Sequence, residues 1–228
     1  EWVGTVSKIK EDAMAKSREA SEKFRDNKPI HPQFLLAELI DFLDKDATII
    51  LDSFSMSGFS RDKLIATFAG QILDAATWAG VGHGVGMAMG AQVARPGKQV
   101  VDLLGDGGLG IAGWDIETAA RYKIPACYFL FNNSGWLGNP SRQFILQGAK
   151  NANWGMQRNI RYDKIFAEMG CHTEFVTEPQ QIKPALERAF NSGKTMVIHV
   201  IPDDTVPAPQ HLRFYPKDYR WKPAEGTK

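Results

Sequence analysis

The stretch QVVDLLGDGGLGIAGWDIETAARYKIPACYFLFNN, residues 99–133, decides the fold. Its first part, QVVDLLG (99–105), is largely apolar and predicts a buried strand. AGWDIETAARYKI (112–124) is predicted as a helix, and PACYFLFNN (125–133) as a second strand. A strand, a helix and a strand in succession are typical of a parallel sheet with helices packed against it.

The same alternation extends over most of the chain. The other predicted strands are ATIILD (47–52), 172–176 and TMVIHVI (195–201), and the predicted helices are 9–26, 33–46, 79–98, 161–170 and 179–192. SFSMSGFSR (53–61) is predicted as a Ser/Gly loop. We therefore predict an α/β fold, a doubly wound, mostly parallel sheet with helices on both faces.

Composition excludes several classes of protein. The chain has 27 Lys and Arg against 26 Asp and Glu, so no global charge favours nucleic acid or a membrane surface. No apolar run reaches the roughly 20 residues that cross a bilayer. Its two cysteines, Cys127 and Cys171, lie far apart and predict buried thiols in a reducing, cytoplasmic setting.

GDGGLG (105–110) fits the glycine pattern of dinucleotide-binding loops, but its chemistry disfavours that function. Asp106 would repel a pyrophosphate unless a cation lay between them, and the next strand ends in Asn132 and Asn133 instead of an acid. With Mg²⁺ present the same residues fit a diphosphate: Asp106, Asn133 and the carbonyl of Gly135 offer oxygen ligands. Backbone N–H groups at 107 and 108 would face the diphosphate.

GDG at 105–107 and NN at 132–133, separated by residues 108–131, resemble the signature of thiamine-diphosphate-dependent enzymes. The resemblance implies that Asp106, Asn133 and the carbonyl of Gly135 bind Mg²⁺. The cofactor-binding residues that it implies are Ser53, Ser55, Met56, Ala79, Gly80, Val81, Gly105, Asp106, Gly107, Gly108, Asn133, Gly135, Trp136 and Leu137. Of these, Trp136 and Leu137 would also line the substrate side.

AGVGHGVGMAMG (79–90) resembles the second glycine-rich segment of this family. The match implies that Val81 supports the bent cofactor, that the carbonyl of Ala79 accepts from its amino group and that Gly80 leaves space. The glycines of the following helix also fit close packing on a sheet. His83 is expected to be a packed residue more than a catalytic one.

The resemblance covers only the diphosphate-binding domain, which we place at 31–202 after a helical lead-in at 1–30. In this family the glutamate that activates the cofactor belongs to a pyrimidine-binding domain, and no residue of this chain matches it. We therefore expect a catalyst completed by a partner subunit, for example in a dimer of heterodimers, or by the remainder of a longer chain. No flavin is expected, because that site lies on another domain of the family.

GWDIETAARYKIP and FNNSGW resemble the branch of 2-hydroxyacyl-CoA lyases, oxalyl-CoA decarboxylase and acetolactate synthase. We predict a C–C lyase or carboligase subunit acting on 2-hydroxyacyl-CoA. The alternatives are a 2-oxo-acid decarboxylase or acetolactate-synthase-like subunit, and a non-catalytic cofactor-binding subunit. In the tail, 203–228, Arg213, Lys217, Arg220 and Lys222 would meet CoA phosphates, or the tail would dock on a partner.

Overall fold

Two helices precede the sheet in the computed structural model. The described residues are 2–52, 54–60, 63–75, 78, 80–136 and 160–209. The first helix, α1, spans Trp2–Glu22, and α2 spans Pro32–Phe42. Nδ1 of His31 accepts a hydrogen bond from the backbone N–H of Gln33 at 3.2 Å, and Pro32 needs no N–H partner at the first helical position.

Six parallel strands form one sheet, which confirms the predicted α/β architecture. The strands are β1 Thr48–Leu51, β2 Ile72–Asp74, β3 Val100–Gly105, β4 Cys127–Phe131, β5 His172–Val176 and β6 Met196–Val200. Their order across the sheet is β2-β1-β3-β4-β6-β5. β3 and β4 therefore lie in the middle, next to β1 and β6.

The helices that connect the strands are short. They are α3 Phe54–Ser60, α4 His83–Ala94, α5 Asp106–Ala112, α6 Ile116–Arg121, α7 Tyr162–Glu168 and α8 Ile182–Asn191. Single 3₁₀ turns at Gly113–Asp115 and Pro179–Gln181 lead into α6 and α8. No helix in the described part of the chain combines the length and the apolarity that a membrane crossing requires.

Side chains of each strand alternate between two apolar layers. Val101 and Leu103 of β3 pack on one face with α2, α3 and α8. Val100 and Leu104 pack on the other face with α4, α5, α6 and α7. The predicted covering of both faces is confirmed, and Asp102 falls on the second face by the same alternation.

Two local predictions were wrong. Residues 54–60, predicted as a loop, form α3, because Met56 and Phe59 bury their side chains in the first core layer. Ser60 donates its hydroxyl to the carbonyl of Ser57 at 3.1 Å, so a serine-rich helix satisfies this group internally. The three-residue edge strand β2 was not predicted, since Ile72–Asp74 is too short to show a period.

Candidate functional site

The carboxyl ends of β1, β3 and β4 lie side by side, because these strands are neighbours in the sheet. Gly105, the last residue of β3, pairs with Phe131, the last residue of β4. Polar side chains follow each strand: Asp52 after β1, Asp106 after β3, and residues 132–133 after β4. In parallel sheets this edge is where ligands bind.

Asp106 is held at the start of α5 by two backbone donors. Its side chain is buried, with only 2% of the residue exposed. Oδ1 accepts from the N–H of Gly107 at 3.1 Å, and Oδ2 accepts from the N–H of Gly135 at 2.6 Å. The second bond ties the turn after β4 to the turn after β3, which brings residues 133–135 against the Asp106 carboxylate.

The chain approaches itself closely at Gly108 of α5. A Cβ at Gly108 would lie 3.0 Å from Oδ2 of Asp52 and from Cδ1 of Leu104. A Cβ at Gly107 would make ordinary van der Waals contact with the Trp136 ring, at 3.5 Å. The first turn of α5 therefore presents backbone, without side chains, at the edge of the sheet.

Asp52 organises the glycine-rich turn before α4. Oδ1 accepts from the N–H of Gly82 at 2.8 Å, and Oδ2 accepts from the N–H of Gly84 at 3.3 Å. Nδ1 of His83 lies 3.6 Å from Oδ1 of Asp52 and also contacts the carbonyl of Gly80. This places His83 within the turn as a packed residue, and burial raises the pKa of Asp52.

Sequence reasoning did not assign a role to Asp52. Its signal was an acid directly after the buried strand ATIILD, which is an unusual residue to place at a buried strand end. Gly82, which Asp52 binds, has φ of 88°, and its Cβ would lie 3.2 Å from the carbonyl oxygen of Gly108. Asp52 thus touches both glycine segments that the sequence singled out.

Apolar side chains are exposed on the elements around this edge. Val81, in the glycine-rich turn, is 38% exposed, and Ile111 of α5 is 58% exposed. Trp114, in the 3₁₀ turn that follows, is 72% exposed, and Trp136 is 38% exposed. A strand-end edge that presents this much apolar surface is suited to contact with a ligand or another protein surface.

Of the remaining predicted residues, Ser55 lies at the start of α3 and is nearly buried, with 9% exposed. The Met56 side chain is fully buried in the first core layer. Ser53, Ala79 and Leu137 lie outside the described residues, as do the basic residues predicted in the tail.

Behind the turn at 133–135 lies a buried chain of polar side chains. Nδ2 of Asn132 is 2.9 Å from Nε2 of His199 on β6, and Nδ1 of His199 is 3.1 Å from Oδ1 of Asp163 on α7. Arg161 donates two hydrogen bonds to the Asp163 carboxylate, at 2.8 and 2.6 Å. Oδ1 of Asn132 accepts from the N–H of Ser134 at 3.0 Å.

The protonation of this chain follows from its surroundings. Although burial raises the pKa of Asp163, hydrogen bonds from Arg161 and His199 lower it below its usual range. Burial lowers the pKa of His199 and outweighs the opposing effect of Asp163. At neutral pH the pair is therefore an ionised carboxylate beside a neutral imidazole.

Comparison with known proteins shows the family to which the chain belongs. The family model described as "Thiamine pyrophosphate enzyme, C-terminal TPP binding domain" matches residues 61–200. The chain belongs to this family of thiamine pyrophosphate enzymes. The matched range contains the turn around Val81, the Gly105–Gly108 segment and residues 133–136, and it begins after Asp52 and Ser55.

Relatives within the family come from the branch that the sequence resembles. The chain is 32% identical over 199 residues to an acetolactate synthase large subunit of Mycobacterium tuberculosis, covering 87% of this chain and 36% of the relative. It is 35% identical over 135 residues to a 2-hydroxyacyl-CoA lyase of Oryza sativa, covering 58% of this chain and 23% of the relative. The chain thus spans about a third or less of the length of these relatives.

A solved structure shares the fold. A thiamine diphosphate-dependent 4-hydroxybenzoylformate decarboxylase of Rhodococcus jostii superposes with a TM-score of 0.70 at 24% identity, covering 77% of this chain and 33% of the decarboxylase. The sheet and its flanking helices are therefore those of a thiamine-diphosphate-binding domain.

Proposed function

We propose that this chain binds the diphosphate end of thiamine diphosphate through Mg²⁺ and forms one half of the active site of a C–C lyase or carboligase. The observation that carries the proposal is the buried Asp106 carboxylate, tied by the N–H of Gly135 to the turn that begins with Asn133. The family match supports the cofactor, and the metal is inferred from the ligand chemistry.

The oxygen donors fit Mg²⁺ better than a transition metal. Within the described residues no cluster of three or more His, Cys, Asp and Glu side chains could hold a metal ion. The proposed set instead combines the carboxylate of Asp106, the amide oxygen of Asn133 and the carbonyl of Gly135. Mg²⁺ accepts few protein ligands when diphosphate oxygens and water supply the others, so this set suits it.

Each glycine segment would serve one part of the cofactor. Backbone N–H groups at Gly107 and Gly108 would face the diphosphate, and the N–H of Gly107, which donates to Oδ1 of Asp106, would exchange that acceptor for a diphosphate oxygen. The turn carrying Val81 would support the rings, and Asp52 fixes that turn through two backbone N–H groups. When bound, thiamine diphosphate supplies the carbanion chemistry, which the protein does not provide itself.

We further propose that another domain completes the site, either as a partner subunit or as the remainder of a longer chain. Val81, Ile111 and Trp114 expose apolar surface around the strand-end edge, as expected where a second domain packs. No glutamate occurs at residues 52, 54–60, 105–113 or 132–136, which are the described segments after β1, β3 and β4. The activating carboxylate is therefore expected from the other domain.

For the substrate, we propose a 2-hydroxyacyl-CoA. The 2-hydroxyacyl-CoA lyase of Oryza sativa is 35% identical over the aligned segment. The acetolactate-synthase-like alternative is favoured by a different observation, namely that the M. tuberculosis relative aligns over 87% of this chain. Pyruvate consumption and CoA-thioester cleavage by the complete assembly distinguish the two directly.

The cofactor proposal is tested by titrating the protein, purified with any partner, with Mg²⁺ at saturating thiamine diphosphate. Asp106→Asn removes the charge and places an amide NH₂ against a backbone donor. Its Kd for Mg²⁺ should rise by more than the roughly 10–100-fold typical of residues that only support a metal ligand. Asp115→Asn changes an exposed acid a few residues away and serves as the matched control. Equal Mg²⁺ affinity in Asp106→Asn and wild type would overturn the proposed metal site.

A further inference from the structure

The turn that carries Asn133 and Gly135 has a backbone that must be held in place. Ser134 has φ of 59° and Gly135 has φ of 148°, so two consecutive residues occupy the left-handed half of conformational space. A positive φ is uncommon for a serine, so contacts with the surroundings are expected to stabilise it. Other contacts must therefore hold the backbone conformation of this turn in the absence of a metal.

Asn132 provides the local part of these contacts. The backbone N–H of Ser134 can only donate, so the side-chain atom of Asn132 that it contacts at 3.0 Å must be the carbonyl oxygen. The amide NH₂ of Asn132 then points to His199. The backbone donor of Ser134 thus fixes the orientation of the Asn132 amide.

His199 can accept from Asn132 only in one tautomer. Arg161 donates to both oxygens of Asp163, which fixes Asp163 as an ionised acceptor. The ring nitrogen facing Asp163, Nδ1, must then carry the proton, which leaves Nε2 as the acceptor for Asn132. Each contact in the chain therefore joins a donor to an acceptor, from Arg161 through Asp163, His199 and Asn132 to the backbone of Ser134.

The burial of this chain shows that it is a built feature. His199 is 0% exposed, Asn132 is 5% exposed and Asp163 is 6% exposed. Phe175 packs near the His199 ring with centroids 5.0 Å apart, and Arg161 stacks over Phe175 at 3.8 Å. A buried polar chain of this kind is rigid because breaking any one bond would leave a group without a partner.

We propose that His199, oriented by Asp163, is a positioning residue that presets the metal-binding turn at 133–135 through the side chain of Asn132. The inference deepens the proposed function, because it concerns the same metal site. His199 itself does not touch the metal or the cofactor. Its contribution is the acceptor at Nε2, without which the Asn132 amide is free to rotate and the Ser134 N–H loses its partner.

Three substitutions of His199 separate this role from simple core packing. His199→Gln places an amide oxygen near the position of Nε2 and keeps the acceptor for Asn132. His199→Asn reaches only as far as Nδ1, so it retains a partner for Asp163 but not for Asn132. His199→Leu keeps the volume and removes both. His172→Gln makes the same chemical change on the neighbouring strand β5, where the ring pairs with Glu174 at 2.9 Å, and serves as the control.

The experiment measures two quantities for each variant of the intact protein, purified with any partner. They are the Kd for Mg²⁺, by calorimetry at saturating thiamine diphosphate, and the melting temperature. We expect His199→Leu and His199→Asn to weaken Mg²⁺ binding by about 10–100-fold, the range seen when a residue that orients a metal ligand is lost. We expect the Kd for Mg²⁺ of His199→Gln and of the His172→Gln control to stay within about threefold of wild type, because both variants retain an acceptor for the amide of Asn132.

The outcomes separate the possible failures. If wild type binds no Mg²⁺ and no cofactor, the proposed function fails before His199 is tested. If wild type binds and His199→Leu and His199→Asn bind equally well, the positioning role is refuted. A packing role alone predicts that affinity follows melting temperature across the variants, whereas positioning predicts that it follows the acceptor at Nε2. Should His199→Leu fail to fold, Asp163→Asn removes the orienting carboxylate instead and should weaken Mg²⁺ binding in the same range.

Discussion

Replacing Asp102 with asparagine is expected to stabilise the protein, relative to wild type, progressively as pH rises, because Asp102 is a buried carboxyl group without a hydrogen-bond partner among the described residues. The residue is 0% exposed in the middle of β3, and within the described structure neither side-chain oxygen has a hydrogen-bond partner. Its oxygens face α4, where a Cβ at Gly84 would lie 2.3 Å from Oδ1. Burial, reinforced by the nearby charge of Asp52, raises the pKa of Asp102 well above its usual range.

The sign of the effect follows from this raised pKa. The folded protein holds the Asp102 proton to a higher pH than the unfolded chain, whose carboxyl releases it near pH 3.9. Between the unfolded and the folded pKa, unfolding therefore releases a proton, and stability falls as pH rises. The loss is about 1.4 kcal/mol for each pH unit in that window. Asparagine carries no titrating proton, so the variant escapes this loss.

The assay is urea denaturation of wild type and Asp102→Asn at half-unit steps from pH 4 to pH 8. The difference in free energy of unfolding should grow in favour of the variant by about 1.4 kcal/mol per pH unit up to the folded-state pKa of Asp102, and stay constant above it. With a urea m-value of about 1–3 kcal/mol per M this corresponds to a shift of about 0.5–1.4 M in the midpoint per pH unit. Asp44→Asn, which neutralises an exposed aspartate, controls for the change in net charge.

A difference that stays constant from pH 4 to pH 8 would refute the reasoning. It would mean that Asp102 titrates alike in the folded and unfolded chains, and hence that the folded protein solvates or pairs the carboxylate. A difference that grows in favour of wild type would refute it more strongly, since that sign requires a lowered folded pKa.

Two further substitutions probe the same region. Gly84→Ala should lower the free energy of unfolding by about 1–3 kcal/mol in denaturant titrations, because its Cβ would overlap Oδ1 of Asp102. Adding Asp102→Ala should restore part of this free energy. Asp52→Ala should lower the free energy of unfolding by about 1–3 kcal/mol for each buried N–H left unpaired, at Gly82 and Gly84. It should also weaken thiamine diphosphate binding, measured by calorimetry. An unchanged cofactor Kd would show that the turn does not depend on Asp52.

Much of the fold follows from local pattern. The strands at 100–105 and 127–131 are recognisable in the sequence as apolar runs followed by polar residues. The carboxyl ends of parallel strands lie at the same edge of the sheet. That single rule brings Asp106 beside residues 132–135, and the structure shows the resulting contact between Asp106 and Gly135. The helix at 54–60 was missed because its stability comes from burying Met56 and Phe59, which composition alone cannot reveal.

The support of the site could not be predicted for a related reason. His199 sits in TMVIHVI, where an isolated histidine in an apolar strand fits ordinary packing, and its partners Asn132 and Asp163 are 67 and 36 residues away in the chain. Metal ligands lie at a recognisable spacing in the sequence because they must all reach one ion. The residues that orient them need only lie on an adjacent strand, which can come from anywhere in the chain. A positioning residue such as His199 can therefore be recognised only once the pairing of β4 with β6 is known. Among related sequences, the residue at position 199 should therefore change together with the residue at position 132, and not with the metal ligands. The reason is that His199 contacts the amide of Asn132.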